Sequence, residues 1–290
     1  MEVIISTLIN GLSLGGIYAM IALGYTMVYG IAKMLNFAHG DIIMVGGYTI
    51  FVAMAVKNPM LAIVTAIVVC VILGVIIEKV AYRPLRGASP LAVLITAIGV
   101  SYLLQSLAQI IFGSAPKMVT VYEFGAVKFL GATMQVSSLV TLAVTVVVMT
   151  VLTLFVKCTR LGRAMIAVSE DRDAAQLMGI NVNGIITITF AIGSALAALA
   201  GLFYLLKAPS VSNTMGAMPG IKAFTAAVIG GIGSIPGAML GGILLGMVES
   251  ISYKISAIAP YTDAIEFSIL IIILLVRPTG FLGKKRREKV

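Results

Sequence analysis

"PGIKAFTAAVIGGIGSIPGAMLGGILLGMVES", Pro219 to Ser250, is apolar enough for the middle of a membrane, yet Gly-Gly, Gly-Ser and Pro-Gly pairs interrupt it. Such pairs make turns in water. In hydrocarbon they split a helix into pieces, because freed backbone groups must find partners inside the protein. The stretch is therefore read as a short broken segment over about 220–233, followed by a full span over about 236–256.

The rest of the chain supports a membrane setting. It has 290 residues, 60% of them hydrophobic and 11% charged, and a mean hydropathy of +1.11. A water-soluble surface needs far more charge than that. Apolar windows lie at about 3–28, 40–57, 60–80, 91–112, 137–157, 185–206, 221–250 and 263–277, and several reach the roughly 20 residues that span a bilayer as helix. The expected fold is an all-α polytopic membrane protein of about eight transmembrane helices plus short broken segments, one transmembrane domain over 1–290. Residues 113–136, "GSAPKMVTVYEFGAVKFLGATMQV", alternate like strands and are expected to form an ordered external excursion. The first window has no basic n-region and is too long for the h-region of a signal peptide, so it reads as a retained first span.

The formal charge of +9 does not imply nucleic acid. Thirteen of 20 Lys and Arg residues sit in three places: Lys79, Arg83 and Arg86; Lys157, Arg160, Arg163 and Arg172; and the tail 277–290 with Arg277, Lys284, Lys285, Arg286, Arg287 and Lys289. Basic clusters at the ends of apolar runs mark cytoplasmic loops. Cys70 and Cys158 are not placed for a disulfide, and two cysteines cannot complete a four-ligand zinc site.

If 157–184 and the tail are both cytoplasmic, an even number of crossings separates them, and the broken segment supplies the fourth. A similar interruption occurs in "YGIAKMLNFAHGDIIMVGGY", where Lys33, Asn36, His39 and Asp41 lie between two apolar runs. Aligned on Phe37 and Phe224, "NFAHGDIIMVGG" and "AFTAAVIGGIGS" share an aromatic residue followed by small ones. Interruptions at matching places in two halves point to a translocation site and an internal repeat. This reading places the N-terminus on the same side as the C-terminus.

"VSEDRDAAQLMGINV", Val168 to Val182, concentrates three of the 11 acidic residues within four positions. Ser169 is a candidate N-cap, Glu170, Asp171 and Asp173 suit a first turn, and Gly179 suits a C-terminal stop. The result is a cytoplasmic helix over about 169–179, with Ala174, Leu177 and Met178 as a small apolar stripe. Physics alone leaves open whether it caps its own protein or receives a partner.

"EDRDAAQLMGI" resembles the coupling motif of ABC importer permeases. Together with "LNFAHGDIIMVGGY", "RPLRGASPLAVLITAIGVSYLLQ", "GGIGSIPGAMLGGILLG" and "LLVRPTGFLG", in that family's order from about Ile9 to Gly283, the chain resembles LivH-type permeases of branched-chain amino acid ABC transporters. The resemblance implies an ABC importer permease fold in a bacterial inner membrane. It also implies an ATPase-docking helix that includes Glu170, Ala174, Ala175 and Gly179, with Asp171 and Leu177 on the same surface. The implied partners are two ATP-binding cassette subunits, a second homologous permease and an external substrate-binding protein. ATP and Mg would be held by the ATPase, since this chain has no GxxxxGK[ST] loop.

Asn36, His39 and Asp41 admit two readings. They line a transport pathway, or they tie up backbone at a helix break. An apolar amino acid calls for an apolar, close-fitting passage, and Asn36, Phe37, His39, Phe224 and Thr225 are the candidates to line it. The competing function is an ion- or proton-coupled carrier or channel using His39 and Asp41. A membrane enzyme fares worst, because no span carries paired carboxylates or metal-ligand spacing.

Overall fold

The computed structural model describes residues 2–122, 124–129 and 132–283. Among the described residues the α-helices are α1 (Glu2–Ala32), α2 (His39–Ala53), α3 (Pro59–Ile77), α4 (Pro90–Phe112), α5 (Val136–Cys158), α6 (Arg160–Glu170), α7 (Arg172–Leu177), α8 (Val182–Lys207), α9 (Ala217–Gly230), α10 (Ile235–Lys254) and α11 (Thr262–Val276). Among the described residues, eight helices are long and apolar enough to cross a membrane, and α9 is a shorter apolar helix. The broken segment and following span expected around 219–250 are α9 and α10. Lys284, Lys285, Arg286, Arg287 and Lys289 of the expected basic tail lie outside the described residues.

Several helix starts are written locally. Asn58, Ser89, Thr159, Asn181 and Ser234 each accept a backbone N–H two or three residues into α3, α4, α6, α8 and α10, and Pro59, Pro90 and Pro236 occupy first-turn positions. The packing faces are written in residue size. On α3, Ala62, Ala66, Cys70 and Gly74 recur every fourth position and face inward, while Val64, Val68, Ile72 and Ile76 face out. Small residues let backbones approach, and large aliphatic ones suit lipid. A Cβ at Gly246 would overlap Gly15 of α1, and one at Gly242 would overlap Ala19, so α1 and α10 run antiparallel in close contact.

The halves form an inverted repeat. α1 packs along α10 as α8 packs along α3, and α2 meets α3 and α8 as α9 meets α10 and α1. One face of the bundle gathers the C-terminal end of α1, the α3–α4 connection, α6, α7 and residues 277–283. Arg172 reaches Ala32, Arg86 reaches Asn183, and Phe281 and Leu282 bond to Ile229 and Gly230. Among the described residues, the first two basic clusters and Arg277 thus lie at one face. At the opposite face, a hairpin of β2 (Ala126–Phe129) and β3 (Ala132–Gln135) accompanies a small sheet pairing β1 (Lys117–Met118) with β4 (Ser210–Val211).

This arrangement corrects one expectation. Gly30 lies beside Gly233 and Gly231 lies against Gly280 and Gly283, so residues 280–283 sit at the C-terminal end of α1. The N-terminus lies at the other end of that 31-residue helix, about 46 Å away. Five helices (α1 to α5) precede the α6–α7 connection and four come after it, so the termini lie on opposite faces.

That topology can be read by labelling a variant in which the exposed Cys158 is replaced by Ser. Cysteines introduced at Val3 and Tyr122 react together with an impermeant maleimide from one side, and a cysteine at Leu177 reacts only from the other. Labelling of positions 3 and 177 from the same side contradicts the topology.

Candidate functional site

The interruption at 33–38 meets a second one at 208–216, ahead of α9, whereas the Gly-Gly and Pro-Gly break read from the sequence falls in the α9–α10 turn at 231–234, against Gly283 and Gly30 on the basic face. Neither α2 nor α9 has a side-chain cap; their N-cap residues are Ala38 and Gly216. Each instead starts from a hydrogen-bonded turn. The N–H of His39 donates to Asn36 (3.2 Å) and that of Asp41 to Ala38 (3.1 Å), while Ala217 donates to Thr214 (3.0 Å) and Gly220 to Gly216 (2.9 Å). The two first turns press backbone to backbone: a Cβ on Gly40 would come 2.6 Å from the Gly216 carbonyl oxygen, and one on Gly216 would overlap that of Gly40. Only glycine permits this approach.

Four rings cluster there. Phe37 and Phe224 lie 5.3 Å apart, Tyr25 lies 5.8 Å from Phe224, and Tyr25 meets His39 edge-on at 4.8 Å. His39 occupies the space left by Gly24, where a Cβ would overlap its Nε2. Asn36 Oδ1 accepts the Tyr82 hydroxyl at 2.8 Å, and Asp41 Oδ1 accepts from Gln105 Nε2 of α4 at 2.8 Å. His39 Nε2, Asn36 Nδ2 and Thr26 Oγ1 are buried with no hydrogen-bond partner among the described residues. Of the expected lining residues, Asn36, Phe37, His39 and Phe224 are therefore brought together. Thr225, about 100° further round α9, is fully buried in its packing. A crevice too narrow to admit a water molecule lies between Tyr25, Tyr29, Asn36 and Phe224. A separate apolar cavity of about 440 Å³ lies between α2 and α4, lined by Val45, Tyr48, Leu104, Ala108 and Phe112.

The acid-rich stretch differs from its sequence reading. The sequence predicts one helix over 169–179 with Ser169 as cap; the chain forms α6 and α7 with a break at Asp171. Ser169 lies inside α6, donating its hydroxyl to Ile166 (2.7 Å), and Glu170 is the last residue of α6. The reason is the buried face of α6, Gly162, Met165 and Val168, which extends that helix past Ser169. Asp171 is the cap, accepting from the N–H groups of Asp173 (3.1 Å) and Ala174 (3.0 Å). The C-terminal stop is as expected. Gly179 has φ +81°, and the bonds from Gly179 to Gln176 and from Ile180 to Ala175 close a Schellman motif. Ala175 faces inward, Ala174 outward, and Leu177 and Met178 are 90% and 83% exposed. Leu177 and Met178 thus leave an exposed apolar pair at the tip of the capped helix.

Sequence reasoning misses the polar core of the second half. Lys222 of α9 lies 3.1 Å from Glu249 of α10, and 2.8 Å and 3.2 Å from Asp263 and Glu266 of α11. Tyr18 donates to Glu249 at 2.6 Å. Glu249 shows no role in the sequence, because its partner stands 27 positions away, where no helical spacing could reveal it. Similarly, buried Glu78 holds Arg86 and accepts from Thr187 (2.8 Å), and Arg86 reaches Asn183, which ties the α3–α4 connection to the start of α8.

An inverted repeat of spanning helices, with breaks that meet at its centre, is the architecture of a membrane permease. Residues 7–274 match the family model described as branched-chain amino acid transport system / permease component, and the chain belongs to that family. It is 44% identical to the high-affinity branched-chain amino acid transport system permease protein BraD of Pseudomonas aeruginosa, over 98% of this chain and 97% of that one. It is 43% identical to LivH of Escherichia coli K12, described in the same words, over 97% and 96%. A solved metal-chelate type ABC transporter in an inward-facing conformation superposes with a TM-score of 0.51 at 15% identity, covering 94% of this chain and 85% of that chain, which speaks for the fold alone.

Lys222→Ala leaves Glu249 and Glu266 buried without their cation, which should cost on the order of 3–5 kcal/mol. The expected readout is a clear fall in melting temperature in detergent. Lys222→Met combined with Glu249→Gln and Glu266→Gln recovers most of that loss. An unchanged melting temperature in the single variant contradicts a stabilising role for the cluster.

Proposed function

We propose that the chain forms part of the translocation pathway of an ATP-driven importer of branched-chain, apolar amino acids. The near full-length identity to permeases of such systems carries this reading. In it, the chain is a single permease domain, 1–290, in a bacterial inner membrane, with its basic face and tail in the cytoplasm, as the clustering of Lys and Arg supports. It pairs with a second homologous permease. Two ATP-binding cassette subunits bind and hydrolyse ATP with Mg, and an external binding protein delivers substrate to the hairpin face.

The docking surface centres on α7: Glu170 and the Asp171 cap on one side, then Ala174, Leu177 and Gly179, with Ala175 anchoring the helix from beneath. The pathway passes the meeting of the two breaks, where Asn36, Phe37, His39, Phe224 and the neighbouring Thr225 would line or gate it. Ring faces and small residues suit an aliphatic side chain better than charged ligands would. Family membership favours this reading over a carrier that relays ions through His39 and Asp41. In this structure Asp41 is occupied in tying α2 to α4.

Gentle purification from native membranes should recover two P-loop ATPase chains and a second permease, identified by mass spectrometry. Gly179→Trp should abolish leucine uptake while the protein inserts normally, since it puts a bulky ring at the docking surface. Recovery of the chain alone, or unchanged uptake in the variant, would overturn the coupling role.

A further inference from the structure

Arg172 is the first residue of α7, directly after the Asp171 cap, and its half-buried side chain turns away from the docking surface. Its Nη2 donates to the carbonyl oxygen of Ile31 at 3.1 Å and to that of Ala32. These are the last carbonyls of α1, which have no partner within their own helix and carry the negative end of its dipole. The bond therefore joins two elements 140 residues apart. The first interruption begins immediately after Ala32. Lys33 takes φ 54°, a left-handed conformation uncommon for a side chain with a Cβ, and four residues later Phe37 lies against Phe224. Asn36, between them, is held by Tyr82. The short α7 is fixed at both ends, by its Asp cap and its Schellman turn, so it moves as one piece with the guanidinium attached.

We propose that Arg172 is the positioning residue that transmits movement of the docked helix to the end of α1, and so to the Lys33–Ala38 break and the ring cluster beyond it. This rests on the coupling reading above and deepens it. Docking is the work of the outer face of α7, while Arg172, on the inner face, converts docking into movement at the pathway. Both bonds come from the one Nη2 nitrogen, which carries two N–H groups and offers one to each neighbouring carbonyl.

The test uses the whole transporter, purified with its ATPase, reconstituted in vesicles with its binding protein, and assayed for ATP hydrolysis and radiolabelled leucine uptake in the same preparation. In Arg172→Ala the ATPase is expected to co-purify and hydrolyse ATP at close to the parent rate, while leucine carried per ATP falls about tenfold, a typical size for coupling between sites. Arg172→Lys should restore part of that ratio. A merely structural role would lower the amount of assembled transporter and leave the ratio unchanged, and that result would overturn the proposal. Loss of the ATPase from Arg172→Ala would also overturn it, making Arg172 part of the docking surface. Absence of the ATPase from the parent preparation would instead sink the coupling reading on which the proposal stands.

Discussion

A backbone that leaves a helix inside hydrocarbon must find its hydrogen bonds within the protein, and the fold is arranged around that constraint. Both interruptions, 33–38 and 208–216, enter helices that lack a side-chain cap. Both are placed against each other instead of against lipid. Gly40, Gly216 and Gly220 allow the contact by having no side chains, and the turns at Asn36–Ala38 and Thr214–Gly216 supply the hydrogen bonds. The inverted repeat is a consequence of this pairing, because each broken helix is sheltered by the long helices of the other half. Irregular backbone buried at the centre of a permease is also the place where small displacements can open or close a path.

Each broken helix is tied to a peripheral one by polar groups: α2 to α4 through Asp41 and Gln105, and α9 to α11 through Lys222, Asp263 and Glu266. Both α4 and α11 expose most of their surface to the surroundings. Apolar packing gives little net attraction between helices when lipid is the alternative, so a few polar links can decide where an outer helix sits. On the basic face, guanidinium groups do comparable work. Arg86 joins Glu78 to Asn183, and Arg172 joins α7 to the end of α1.

How much of the structure is legible in the sequence depends on how local each signal is. Spans are legible because hydrocarbon thickness fixes their length, and breaks because Gly and Pro have direct backbone consequences. The alignment of Phe37 with Phe224 pairs two rings that touch but not equivalent positions, since Phe37 precedes α2 and Phe224 lies inside α9. Gly179 is readable as a stop because few residues accept φ +81°. Ser169 misleads because it and Asp171 are equally good caps in isolation. The choice between them is made by α6 packing its Met165 and Val168 face on the bundle. Lys222 is invisible for the same reason, its three acidic partners arriving from α10 and α11. The side of the N-terminus is misjudged when the halves are treated as parallel copies, since α5 stands between two inverted ones.

The central claim is that the two breaks meet at the ring cluster and that the pathway opens there. It is tested most directly by placing cysteines at Phe37 and Phe224 in a chain whose Cys70 and Cys158 are replaced by Ala, then treating the assembled transporter in vesicles with a short, reducible bis-methanethiosulfonate cross-linker. The expected result is rapid cross-linking without ATP, loss of leucine uptake with hydrolysis retained, and full recovery on reduction. If no cross-link forms in the resting state, or if the cross-linked transporter carries leucine at the parent rate, the breaks do not form the gate.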